Sequence, residues 1–164
     1  MAILSDNIIS KLNYRIQQEE MSSRIYLGMS NWLEFMGYTG AAKLWNKYSE
    51  EEKGHAKIVV DYLLDLNILP NTPELEEPQT EFKSLEQIIA LSYKHEVDIT
   101  NQCKELASIS FKENDFMTYG LAQKFVIEQV EELKKTQLWV DKLSLFGNDK
   151  IALRLLDNEM GETV

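Results

Sequence analysis

Glu52 and His55 stand three residues apart in the stretch SEEEKGH, a spacing that puts a carboxylate and an imidazole about 60° apart on one side of an α-helix. Carboxylate oxygens with one imidazole suit iron or manganese better than a thiolate-seeking metal, and calcium rarely takes the histidine. Alone, such a pair is a weak signal, because glutamate and histidine meet at this spacing on many solvated helices. Its weight depends on what other segments bring to the same level.

Each of four long segments carries a stripe with alternating steps of three and four, the seam of a left-handed helical bundle. The stripes read Leu12, Ile16, Glu19, Ser23, Tyr26, Ser30, Leu33; then Trp45, Ser49, Glu52, Ala56, Val59, Leu63, Leu66; then Leu85, Ile89, Ser92, Glu96, Ile99, Cys103, Leu106; then Ala122, Phe125, Gln129, Glu132, Thr136, Trp139, Leu143. Every stripe holds a glutamate, and each glutamate is close to the middle of its segment. A midpoint is at the same height whichever way a helix runs, so Glu19, Glu52, Glu96 and Glu132 are expected in one layer of the core.

Unpaired, four carboxylates in that layer would cost several kcal/mol each. The stripes hold no lysine or arginine near this level, so the expected counter-charge is metallic: four carboxylates balance two divalent ions, with His55 as a further donor. His95, beside Glu96, lies about 100° off the stripe and is left out of the set. Glu128, Glu131 and Glu132 share an arc of the fourth helix, and Glu51 adjoins Glu52. Two readings of this outer acid stand, a solvated charge run or a third cation position contiguous with the pair.

The elements that must position these groups are helices over about 6–36, 39–67, 84–112 and 114–146, with a short fifth over about 149–159. Ser5 or Asp6 can cap the first, and Gly37 and Gly40 bracket the break before the second. Asn67 followed by Pro70 ends the second, Ser84 and Gln87 have capping-box spacing, and Gly147-Asn148 ends the fourth. The segment ILPNTPELEEPQTEFK, 68–83, carries all three prolines and cannot be helical. Extended, its sixteen residues reach about 50 Å, enough to run the length of a bundle helix. The expected fold is therefore all-α, a four-helix bundle with one long crossover and parallel second and third helices, forming a single domain over 1–164.

Composition agrees with that class. The 164 residues are 44% hydrophobic, with 17 basic against 27 acidic residues and a formal charge of −10. Without a basic cluster there is no footprint for nucleic acid. No stretch resembles a signal peptide or a membrane span, and a cytoplasmic location is expected. Cys103, the single cysteine, cannot form an intramolecular disulfide and suits a buried apolar position. Leu27, Trp32, Phe35 and Ile58 lie off the core stripes, where a lone chain would leave them wet, so a closed homo-oligomer is expected.

With SEEEKGH and VIEQVEEL in place, the chain resembles the prokaryotic non-haem ferritins over essentially its whole length. The resemblance carries Glu19 in QQEEMSSRIY, Glu52 and His55 in SEEEKGH, Glu96 in YKHEVD, and Glu128, Gln129, Glu131 and Glu132 in VIEQVEEL. It implies a ferroxidase that oxidises Fe(II) with dioxygen at an intrasubunit di-iron centre and stores ferric mineral in a hollow shell, usually of twenty-four subunits. Glu19, Glu52 and His55 would hold the first iron, with Glu52 bridging to a second held by Glu96 and Glu132. Glu51, Glu128, Glu131 and Glu132 would form the third position, Tyr26 would sit near the centre, and Gln129 would hydrogen-bond water or an oxygen species. The fifth helix would pack at a symmetry axis.

Departures from related patterns sharpen the expectation. Glu128-Gln129-Val130-Glu131 lacks the second E-x-x-H of bacterioferritins and many di-iron oxygenases, and Lys53 stands where bacterioferritins carry a haem-binding methionine. Haem is not expected. Lys124 and Tyr48 replace the tryptophan and histidine found in many bacterial ferritins, so an electron relay through those groups is not implied. Two other readings are a metal-free helical scaffold and a rubrerythrin-like peroxidase or electron-transfer protein. The second would normally use a further E-x-x-H and a cysteine-rich module, which one cysteine cannot supply.

Overall fold

The computed structural model describes residues 3–164, and within them α1 (Asp6–Phe35), α2 (Thr39–Asp65), α3 (Leu85–Lys112), α4 (Phe116–Phe146) and α5 (Lys150–Glu162) make an all-α architecture. The helix starts follow local chemistry. Ser5 Oγ accepts from the Ile8 N–H, Ser84 Oγ from the Gln87 N–H, and Asp115 and Asp149 cap α4 and α5. The Gln87 side chain, in turn, accepts from the Lys83 N–H at 2.7 Å, one residue earlier than a capping box requires.

Helix ends are equally local. Gly37 and Gly147 have φ of 86° and 82°, and Asn67 and Asn114 have φ of 58°, the left-handed region where glycine and asparagine are least strained. Gly40 does not bracket the first break as expected, since it lies inside α2. Its lack of a side chain serves packing against α5. The fifth helix also extends beyond the expected 159, to Glu162.

The proline-rich crossover lies along α1. Asn71 N–H donates to Asn13 Oδ1, Gln17 donates to the Glu74 carbonyl, and the Gln79 carbonyl approaches Gly28. Phe82 stacks edge-on against Trp32, 5.9 Å between centroids. The chain thus returns to the end of the bundle where α2 began, and α3 runs parallel to α2. Trp32, expected to be wet, is half-buried by this contact, while Leu27, Phe35 and Ile58 are exposed.

The core has two apolar parts with a polar layer between them. One contains Tyr26, Leu33, Trp45, Ile88, Trp139 and Leu156; the other contains Ile8, Ile16, Val59, Ile99, Leu106 and Phe125, with buried Cys103. On each of α1 to α4 the stripe glutamate falls between these two sets. Leu66 and Leu143, at the stripe ends, are only partly buried. Among the described residues no helix is long and apolar enough to cross a membrane.

Candidate metal centre

All four stripe glutamates are buried: Glu19 is 2% exposed, Glu52 4%, Glu96 1% and Glu132 5%. None of the four is a solvated surface acid. Across the gap between α1 and α2, ligand atoms of Glu19, Glu52 and His55 all lie within 4.8 Å of one another. His55 Nδ1 is 2.9 Å from Glu52 Oε2 and 3.7 Å from Glu19 Oε2. A second group, His55, Glu128 and Glu132, meets the same 4.8 Å limit, so His55 joins the α1–α2 side to α4.

Glu96 completes the layer from α3. The Tyr26 hydroxyl donates to Glu96 Oε1, and Gln129 Nε2 donates to Glu96 Oε2 and Thr100 Oγ1, each at 3.1 Å. Thr100 can accept from Gln129 because its own hydroxyl donates to the Glu96 carbonyl one turn back. Gln129 therefore orients Glu96 here. His95 lies outside both groups: its Nε2 is 2.8 Å from Ser22 Oγ and its ring meets Tyr26 edge-on.

The expectation that no protein cation reaches this layer is wrong. Arg15, 2% exposed, pairs with Glu19 at 2.9 Å through Nη2 and donates to Gln102 through Nη1. Lys135 bridges Glu132 and Glu51, 2.9 Å from each. Neither residue is on a stripe. They lie four residues before Glu19 and three after Glu132, spacings at which helical side chains meet, so a search of each glutamate's i±3 and i±4 neighbours finds both.

These cations set the electrostatics. Burial opposes ionisation of Glu19, but the Arg15 charge, helped by the nearby His55 and Glu52 side chains, outweighs it and holds the carboxyl well below its usual range. Glu52, without a cation of that kind, is pushed well above the usual range by burial and the charges of Glu19 and Glu96. Burial works against the charged form of His55, but the two glutamates raise its pKa to about 11. Burial also lifts Glu132 to about 7, against the opposing pull of Lys135.

Of the outer acids, Glu128 joins His55 and Glu132, Glu51 faces Lys135, and Glu131 is exposed and belongs to neither group. Tyr48 is buried, accepts from Trp139 Nε1 at 3.2 Å and lies 5.9 Å from Tyr26 between ring centroids. Lys124 is exposed.

The donor set fits a hard, oxygen-preferring metal, and one observation marks where it would bind. Glu19 Oε2 is buried without a hydrogen-bond partner, although such groups are rare in folded chains. It faces the space shared with Glu52 and His55.

The family described as Ferritin-like domain matches residues 9–146. The chain belongs to the ferritin family. It is 35% identical over 159 residues to a probable bacterial non-heme ferritin-like protein of Haemophilus influenzae, covering 97% of this chain and 96% of the relative. A bacterial non-heme ferritin of Escherichia coli is 35% identical over 158 residues, 96% of each chain. An open pore ferritin of the archaeon Archaeoglobus fulgidus superposes with a TM-score of 0.94 at 33% identity, covering 96% of this chain and 97% of that one. The ferritin fold is thus present with its crossover and its fifth helix.

Proposed function

We propose that this ferritin binds Fe(II) as substrate within each subunit, oxidises it with dioxygen and stores the ferric product inside a closed homo-oligomeric shell, of twenty-four subunits by the family pattern, in the cytoplasm. The supporting observation is the buried layer itself: Glu19, Glu52 and His55 within 4.8 Å, an unpartnered Glu19 oxygen facing them, and Glu96 and Glu132 from the other two helices. Glu19, Glu52 and His55 take the first iron, Glu52 bridges, and Glu96 and Glu132 take the second. This assigns one ferritin-like domain to the chain.

The protein's own residues have definable tasks. His55 must give up its proton for a ring nitrogen to donate to iron, as must any protonated glutamate, so iron binding releases protons. Arg15 keeps Glu19 ionised and fixed through its 2.9 Å ion pair. Tyr26 and Gln129 hold the two oxygens of Glu96. Oxidation of two ferrous ions raises the metal charge by two against unchanged carboxylates, which favours anionic oxygen species from dioxygen and water and then hydrolysis and release.

Anaerobic Fe(II) titration should saturate at two ions per chain, followed on aeration by a rapid oxidation phase and growth of particles. Binding of no iron would favour a metal-free scaffold; rapid turnover with peroxide but no particle growth would favour a rubrerythrin-like role.

Assembly has a separate test. Leu27, Phe35 and Ile58 on α1 and α2, and Ile151 and Leu155 on α5, are exposed apolar side chains that oligomer contacts would cover. Sedimentation in iron-free buffer at micromolar concentration should give a single large closed species. A monomer or dimer alone would count against the shell.

A further inference from the structure

The ammonium of Lys135 sits between carboxylates of two helices: 2.9 Å from Glu132 on its own helix and 2.9 Å from Glu51 on α2. Its Nζ lies 5.2 Å from the centroid of the Tyr48 ring, a cation–π contact that holds it from a further side. The side chain is 34% exposed, so it reaches this place from the protein surface. Glu51 and Glu132 are two of the acids that the outer cation position would need, and both already share one positive charge.

We propose that Lys135 is a tethered cation that fills this outer position, so that the subunit takes up two irons and holds no third. The inference rests on the two-iron reading above. An incoming ion would compete for the oxygen atoms of Glu51 and Glu132 with an ammonium that is covalently attached to α4 and has Tyr48 beneath it. Glu128 and Glu131 then remain solvated acids beside the centre. Both are exposed, and only Glu128 comes near His55 and Glu132. Tyr48 supplies part of the specificity, because its buried ring provides the aromatic face over which Lys135 lies.

Anaerobic calorimetric titration of the assembled full-length chain with Fe(II) reads the stoichiometry without any oxidation step. The wild type and Lys135→Arg, which keeps the cation, should take two ions per chain. Lys135→Met should take a third, weaker ion, and adding Glu51→Gln to Lys135→Met should remove it again. Three ions in the wild type would overturn the inference, since the lysine would then yield to metal. So would two ions in a Lys135→Met chain with wild-type sedimentation. No binding in the wild type would overturn the functional reading, and this inference with it, whereas two ions in both wild type and Lys135→Met would leave the functional reading standing and defeat only the role of Lys135. Lys135→Arg binding three ions would likewise defeat it.

Discussion

Glu52→Ala should abolish the rapid phase of Fe(II) oxidation, slowing it by at least about 100-fold, while the bundle stays folded. The lower bound comes from groups that only orient metal ligands, whose loss already costs about 10–100-fold; a shared ligand should cost more. The second half of the expectation has the opposite sign from an ordinary core deletion. Glu52 has its pKa raised by burial and by the neighbouring Glu19 and Glu96 charges, so at neutral pH the unfolded chain binds fewer protons at this position than the folded one. A carboxyl raised in this way stabilises fully only below its unfolded pKa and loses that contribution as pH rises. Removing it should leave the iron-free chain at least as stable at neutral pH, with any gain shrinking as pH falls toward 4. His55 loses its 2.9 Å partner but keeps Glu19 at 3.7 Å. Exposed Glu50, paired on the surface with Lys53, is the control: Glu50→Ala should change stability by less than about 0.5 kcal/mol and leave oxidation intact. Stopped-flow oxidation and thermal unfolding of the iron-free variants measure both halves, and wild-type kinetics in Glu52→Ala would sink the site assignment.

The carboxylate layer was legible because a periodicity and a position coincide. Apolar steps of three and four locate the seam, and a glutamate interrupts each seam near its middle, which survives any choice of helix direction. The crossover was legible from three prolines and a length that matches a helix. What the stripes could not reveal were charges that arrive from beside the seam. Arg15 and Lys135 stand at the edges of their stripes, about 40° and 60° round the helix from Glu19 and Glu132, and each reaches its glutamate about one turn away. Long flexible side chains place their charge several ångströms from their own Cα, so a register argument that suits leucine misplaces arginine and lysine. Arg15 and Lys135 supply part of the counter-charge, so it is the shared space of Glu19, Glu52 and His55, with the unpartnered Glu19 oxygen, that suits a metal.

Gly40 was misread for a related reason, since sequence shows a glycine near a break and cannot show what crosses it. In the structure α5 passes so near α2 that a Cβ built on Gly40 would stand 2.0 Å from the Asp157 carbonyl oxygen and 3.1 Å from the Gly161 nitrogen. Those atoms are backbone and cannot rotate away. The same crossing brings the buried Asp157 carboxylate to the start of α2, where Oδ1 accepts from the Ala41 N–H at 2.8 Å, one of the donors a helix start leaves without an internal partner. Leu153, Leu156 and Met160 follow it into the core beside Leu33, Leu44 and Trp45, and Lys142 pairs with Glu159. Gly40→Ala should therefore force α5 outward and cost about 1–3 kcal/mol, or roughly 2–10 °C in Tm for a chain of this size. Helix propensity alone argues the reverse, since alanine inside a helix is favoured over glycine by about 1 kcal/mol, so the sign decides between them. Gly161→Ala, whose Cβ would meet Gly40 Cα at 2.9 Å, should destabilise less. Limited proteolysis should cut 147–164 faster in Gly40→Ala than in the wild type, while rapid Fe(II) oxidation persists because α5 contributes no residue to the carboxylate layer. A Gly40→Ala chain as stable and as protease-resistant as the wild type would show that this crossing does not hold α5 in place.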